Sequence, residues 1–92
     1  MSDVCAVIPA NVRYDASICA NAKLLYGEIT ALCTEFGICK ENNSHFSSLY
    51  GVDKSSISRW VKQLADNGYI ESRIMYKMGT KEVIGRVLMP KV

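Results

Sequence analysis

Ninety-two residues, 49% of them hydrophobic and 22% charged, with a net charge of +2, describe one small domain with a single modest core. No apolar run approaches the ~20 residues of a membrane span. Residues 1–5 have neither the basic start nor the long apolar stretch of a secretory signal, so a cytoplasmic protein is expected. Cys5, Cys19, Cys33 and Cys39 form no CxxC pair and are expected as reduced, mostly buried thiols. Cys33, Cys39 and the single histidine, His45, match no common zinc spacing, and no metal or cofactor is expected.

Residues 1–17 show little periodicity and are expected as an N-terminal arm, in which residues 4–8 form a short strand or loose segment ended by Pro9. The first strong element covers residues 20–36. There Leu24, Leu25, Ile29, Leu32, Cys33 and Phe36 recur at three- and four-residue steps, as on an amphipathic helix, and Gly37 supplies the stop. Ile38-Cys39-Lys40 is expected as a short edge strand. Asn42-Asn43 offers N-cap chemistry for a short second helix burying Phe46 and Leu49. Gly51-Val52 interrupts it, and Asp53 caps a longer helix with Ile57, Trp60, Val61 and Leu64 on one face, closed by Asn67-Gly68.

Two runs rich in strand formers follow, 69–76 and 83–89, with the basic, glycine-containing Lys77-Met78-Gly79-Thr80-Lys81 between them and Pro90 as the stop. The order is helix, short strand, helix–turn–helix at 43–67, and β-hairpin at 69–89. That order predicts an α+β, mostly α, winged helix-turn-helix: a three-helix core with a C-terminal hairpin wing, all of residues 1–92 forming one domain.

A helix–turn–helix corner needs a permissive residue at the turn and apolar residues behind it. Gly51 supplies the turn, Val52 the plug, and Ile57, Trp60 and Leu64 the inner face; Trp60 reads as core. The outer face is then Lys54, Ser55, Ser58, Arg59 and Lys62, with Gln63 to one side and no acid between residues 54 and 65. Such a face suits a helix in the major groove of double-stranded DNA. Ser55, Ser58 and Arg59 are the candidates for base edges, and Lys54 and Lys62 for phosphates. Asn43 and Ser44, opening the preceding helix, are candidates for a phosphate contact as well as for capping. Arg73, Lys77 and Lys81 make the hairpin a basic wing for the backbone or minor groove.

Acids sit mostly in the first half of the chain, whereas the second half is net basic. A solvated helix face carries the same residue types, and the long apolar first helix also fits a docking or dimerisation module on the same scaffold. An enzyme is not expected: one histidine, no nucleophile–base arrangement and no phosphate-cradling glycine loop are present.

Three stretches together resemble a known group: Ile8-Pro9-Ala10-Asn11-Val12-Arg13-Tyr14-Asp15; Asn21-Ala22-Lys23-Leu24-Leu25-Tyr26-Gly27-Glu28-Ile29; and Phe46 to Ile70 through Leu49-Tyr50-Gly51-Val52, Ser58-Arg59-Trp60, Leu64 and Asn67-Gly68-Tyr69-Ile70. The group is the winged helix-turn-helix domain at the N-terminus of phage and plasmid replication initiators of Gram-positive bacteria, the replisome organisers and DnaD-like proteins. The resemblance implies binding to an origin- or operator-like site, with helicase loaders as partners; a transcriptional regulator is the alternative. A homodimer is a further expectation, since such domains often bind DNA as dimers on paired half-sites. The resemblance also implies a separate C-terminal domain, so the chain is expected to be an excised DNA-binding domain or a small stand-alone protein. Cys19-Ala20 departs from the group's usual Ser-Pro, and Lys40-Glu41 places an acid near the expected DNA face.

Overall fold

The computed structural model describes residues 7–91, and the expected strand at 4–8 lies mostly outside them. Val7 and Ile8 belong to no regular element. The first element is one the sequence pattern does not announce. Pro9 opens a single helical turn, α1 (Ala10–Arg13), its carbonyl accepting from the backbone N–H of Arg13 at 2.8 Å. Proline at a helix start loses nothing, because the first N–H groups have no intrahelical partner. The turn drives Val12 into the core, where it is fully buried.

Helix α2 (Ala20–Phe36) ends at Gly37, whose backbone is left-handed at φ 82° and whose N–H returns to the Cys33 carbonyl. Its inward stripe is Ala22, Leu25, Tyr26, Ile29 and Cys33. Leu24, expected in that stripe, is instead 51% exposed, and Leu32 is only partly covered. The buried stripe centres on Leu25 and Ile29, and Leu24, about 100° around the helix from Leu25, falls on its flank.

Helix α3 (Asn43–Tyr50) and helix α4 (Lys54–Asp66) form the corner, with α4 packed on α2. Phe46, Ile57 and Leu64 are fully buried and Trp60 is 7% exposed. Leu49 is a correction, because it is 55% exposed. Helix α3 stops one residue later, and Tyr50 and Val52 take the inward places against the core.

Strands β1 (Ile70–Tyr76) and β2 (Val83–Pro90) pair antiparallel, with Ile70 opposite Pro90, Ser72 opposite Leu88 and Ile74 opposite Arg86. Pro90, expected to stop the strand, is its last paired residue; at the strand end the missing N–H costs no ladder bond. The edge strand expected at Ile38-Cys39-Lys40 shrinks to one bridge, in which Cys39 and Leu88 exchange both backbone hydrogen bonds at 2.8 and 3.0 Å. Two residues beyond Lys40 the chain already turns into the cap of α3.

A polar clasp ties the α1–α2 connection to the end of α4 and the wing root. The Tyr69 hydroxyl donates to the Asp15 carboxylate and lies 3.1 Å from the Asn11 carbonyl. The Ser17 N–H donates to Asp15 at 2.8 Å, and the Cys19 N–H donates to Gln63 Oε1 at 3.0 Å. The Ser17 hydroxyl and the Tyr69 hydroxyl, with the Ser17 N–H, lower the Asp15 pKa to about 2. A depressed carboxylate pKa adds stability above its unfolded value near 3.8, which is lost as pH falls through the folded value. Thermal melts of Asp15→Asn between pH 5 and pH 2 should therefore fall less steeply with acid than those of the parent chain. Identical pH profiles would show the clasp to be absent in solution.

Core packing makes a second prediction. Phe46→Ala should lower stability by about 3–5 kcal/mol, whereas the exposed Leu49→Ala should stay within about 0.5 kcal/mol. Urea unfolding measures both, and equal losses would contradict the packing.

Candidate nucleic-acid interface

Two caps and one glycine set the geometry of the corner. The Asn42 side chain accepts from the His45 N–H at 2.9 Å and starts α3. At the other end Gly51 is left-handed, φ 65°, and the Val52 N–H turns back onto the Ser47 carbonyl at 3.1 Å. Asp53 then restarts the helix, its carboxylate accepting from the Ser56 hydroxyl at 2.7 Å. That bond and one from Ser55 hold the Asp53 carboxyl below its ordinary pKa.

With Ile57, Trp60, Val61 and Leu64 turned inward, α4 presents Lys54, Ser55, Ser58, Arg59 and Lys62 to solvent, all five exposed as the periodicity predicts. Their electrostatic states differ. The Arg59 guanidinium donates to Ser56 Oγ at 3.3 Å, which leans it along the helix. Lys62 pairs with Asp66 at 3.3 Å, one turn further on. Lys54 makes no ion pair among the described residues.

The wing shows a similar division. Arg73 pairs with Glu71 at 3.0 Å. Lys77 and Lys81 are exposed at the tip and unpaired among the described residues. The tip is a tight turn in which the Lys77 N–H reaches the Glu82 carbonyl at 2.8 Å, with Gly79 left-handed at φ 77°.

Asn43 and Ser44 are half-buried at the opening of α3. They come together with Lys54 and the wing residues Ser72, Ile74, Val83, Gly85 and Arg86 around one surface cleft of about 470 Å³. Lys77 is not among those lining residues, and Lys81 lines a neighbouring hollow with Tyr76, Thr80 and Val83. The candidates thus divide into a helix face, a cleft at the wing root and a wing tip.

Arg86 is the residue that the sequence pattern does not single out. It sits among apolar strand residues, half-buried, and makes a long-range bond from Nη2 to the Glu41 carbonyl at 3.3 Å. His45 is half-buried, with Nδ1 3.5 Å from the Glu41 carboxylate and its ring edge-on to Phe46.

The sequence profile of the helix-turn-helix domain family matches residues 18–70, more than half of the chain. The chain belongs to that family. The matched span runs from just before α2 to the first residue of β1, so it contains the whole corner. The hairpin that follows makes this helix-turn-helix domain a winged one, mostly α, as the element order predicts. No curated protein and no solved structure matches the chain.

The corner can be tested without any ligand. A Cβ at residue 51 meets nothing within 4 Å, so the cost of Gly51→Ala is backbone strain alone. That cost should be about 1–2 kcal/mol, and Gly51→Asn should recover part of it because asparagine tolerates the left-handed region. Chemical denaturation gives both values; an unchanged Gly51→Ala would mean that the left-handed turn is not held.

Proposed function

We propose that this helix-turn-helix domain binds double-stranded DNA, with α4 in the major groove and the wing against the flanking backbone or minor groove. The observation that carries the reading is the division of α4. Four core side chains fix one face, while Lys54, Ser55, Ser58 and Arg59 are exposed on the other, with Lys54 bordering the cleft that the wing residues line. Family membership supports the same reading. The groove accepts a helix of this kind when its N-terminal side chains reach base edges and flanking cations meet phosphates.

Ser55, Ser58 and Arg59 take the base-edge roles, arginine being suited to the O6 and N7 of guanine. Lys54, Asn43 and Ser44 take phosphate roles at the start of the corner, and Lys77 and Lys81 at the wing tip. Lys62 and Arg73 must give up or share Asp66 and Glu71 to reach a phosphate, so they are weaker contributors.

The resemblance to replication initiators supports an origin-like target with a helicase loader as partner; a transcriptional operator is the competing target. A palindromic preference, with half-sites one helical turn apart, would accompany a homodimer.

Selection from a random duplex pool followed by fluorescence titration tests this reading. Arg59→Ala should weaken binding to the selected duplex by about 1–3 kcal/mol and relax preference at one base position. Lys62→Ala should cost less. Unchanged affinity on Arg59→Ala would remove α4 from the interface.

A further inference from the structure

Among the described residues Arg86 is a half-buried cation without an anionic partner. Its Nη2 bonds only to a neutral acceptor, the Glu41 carbonyl, and its Nε is buried with no hydrogen-bond partner among the described residues. The nearest acid in sequence to that bond, the Glu41 carboxylate, sits with His45 instead. Burial pushes the Arg86 guanidinium below its ordinary pKa, yet an arginine stays charged at neutral pH. Charges removed from water are ordinarily paired, and leaving one unpaired costs folding free energy.

Arg86 also lines the cleft shared by Asn43, Ser44 and Lys54. Two cations without acidic partners among the described residues therefore border one recess. Ile74 and Val83, 55% and 58% exposed, form an apolar wall on the wing side of the same recess.

We propose that this cleft seats a phosphodiester of the bound nucleic acid, with Arg86 and Lys54 supplying the charge and Ile74 and Val83 meeting the adjoining deoxyribose. The proposal rests on the duplex-binding reading and deepens it, by moving one backbone contact from the wing surface into the recess between wing and corner. Paired cations and apolar walls distinguish a sugar–phosphate unit from a free anion, which needs only the cations. Arg86 would then be held out of water in advance, so that little side-chain freedom is lost when the phosphate arrives.

The test is the salt dependence of binding to a mixed-sequence duplex, read by fluorescence anisotropy. Each phosphate contact contributes about 0.9 to the slope of log K against log salt. Arg86→Gln should make that slope shallower by about 0.9 and weaken binding roughly tenfold near 0.1 M salt, while Arg86→Lys should keep the slope. If the parent chain binds duplex and Arg86→Gln keeps its slope and affinity, the seat is overturned and the duplex reading stands.

If the parent chain binds no duplex, the duplex reading fails. The seat is then decided by inorganic phosphate titrated into the isotope-labelled parent chain. Saturable shifts of the Arg86 Nε–H and Ser44 amide resonances support an anion seat, and their absence overturns it. The same titration decides the case if Arg86→Gln does not fold.

Discussion

The left-handed residue at Gly51 controls how the two helices of the corner meet. Only Val52 and Asp53 separate it from the first residue of α4, and both ends of that link are pinned, by the Val52 N–H on Ser47 and by the Asp53 cap on Ser56. These local contacts set the direction of α4 relative to α3. Phe46, Ile57, Trp60 and Leu64 then close over Leu25 and Ile29 to form the core. The same packing that buries one face of α4 leaves the polar face outward. Fold and candidate interface are in this sense two sides of one helix.

The wing is held to the rest of the domain by the Tyr69 clasp to Asp15, the buried Ile70, the exchange of hydrogen bonds between Leu88 and Cys39, and the Arg86 bond to the Glu41 carbonyl. Beyond them, Ile74, Tyr76, Met78, Val83 and Ile84 are exposed, so the outer hairpin rests mainly on its own ladder. Charge is distributed to match. Pairs within the chain neutralise Lys62 and Arg73 on the flanks, whereas Lys54, Lys77, Lys81 and Arg86 have no carboxylate partner among the described residues. A net charge of +2 therefore understates the positive potential beside the corner.

Much of this was legible in the chain. Helices α2, α3 and α4 announce themselves because 3.6-residue periodicity coincides with local stops and caps at Gly37, Asn42, Gly51 and Asp53, each a short-range effect. The exposed candidates of α4 follow from the same periodicity. What escaped was too short or too distant. One turn of α1 is below the length at which a period can be read, and the exposure of Leu24 and Leu49 depends on how far each helix is rotated against its neighbour. The Asp15–Tyr69 bond spans 54 residues and the Arg86–Glu41 bond spans 45, so no local pattern encodes either. The pairing of Lys62 with Asp66 was within reach, since the two stand one helical turn apart.

Whether α4 and the wing form the duplex-binding face is tested most directly by a backbone-amide NMR titration of the domain with a duplex selected from a random pool. Shifts should concentrate at residues 43–44, along the outer face of residues 54–62, and at the wing residues 77–81 and 86. The outward side of α2 around Leu24 and Thr34 should remain silent. Perturbations centred on α2, or none in α4 at saturating duplex, would contradict that face.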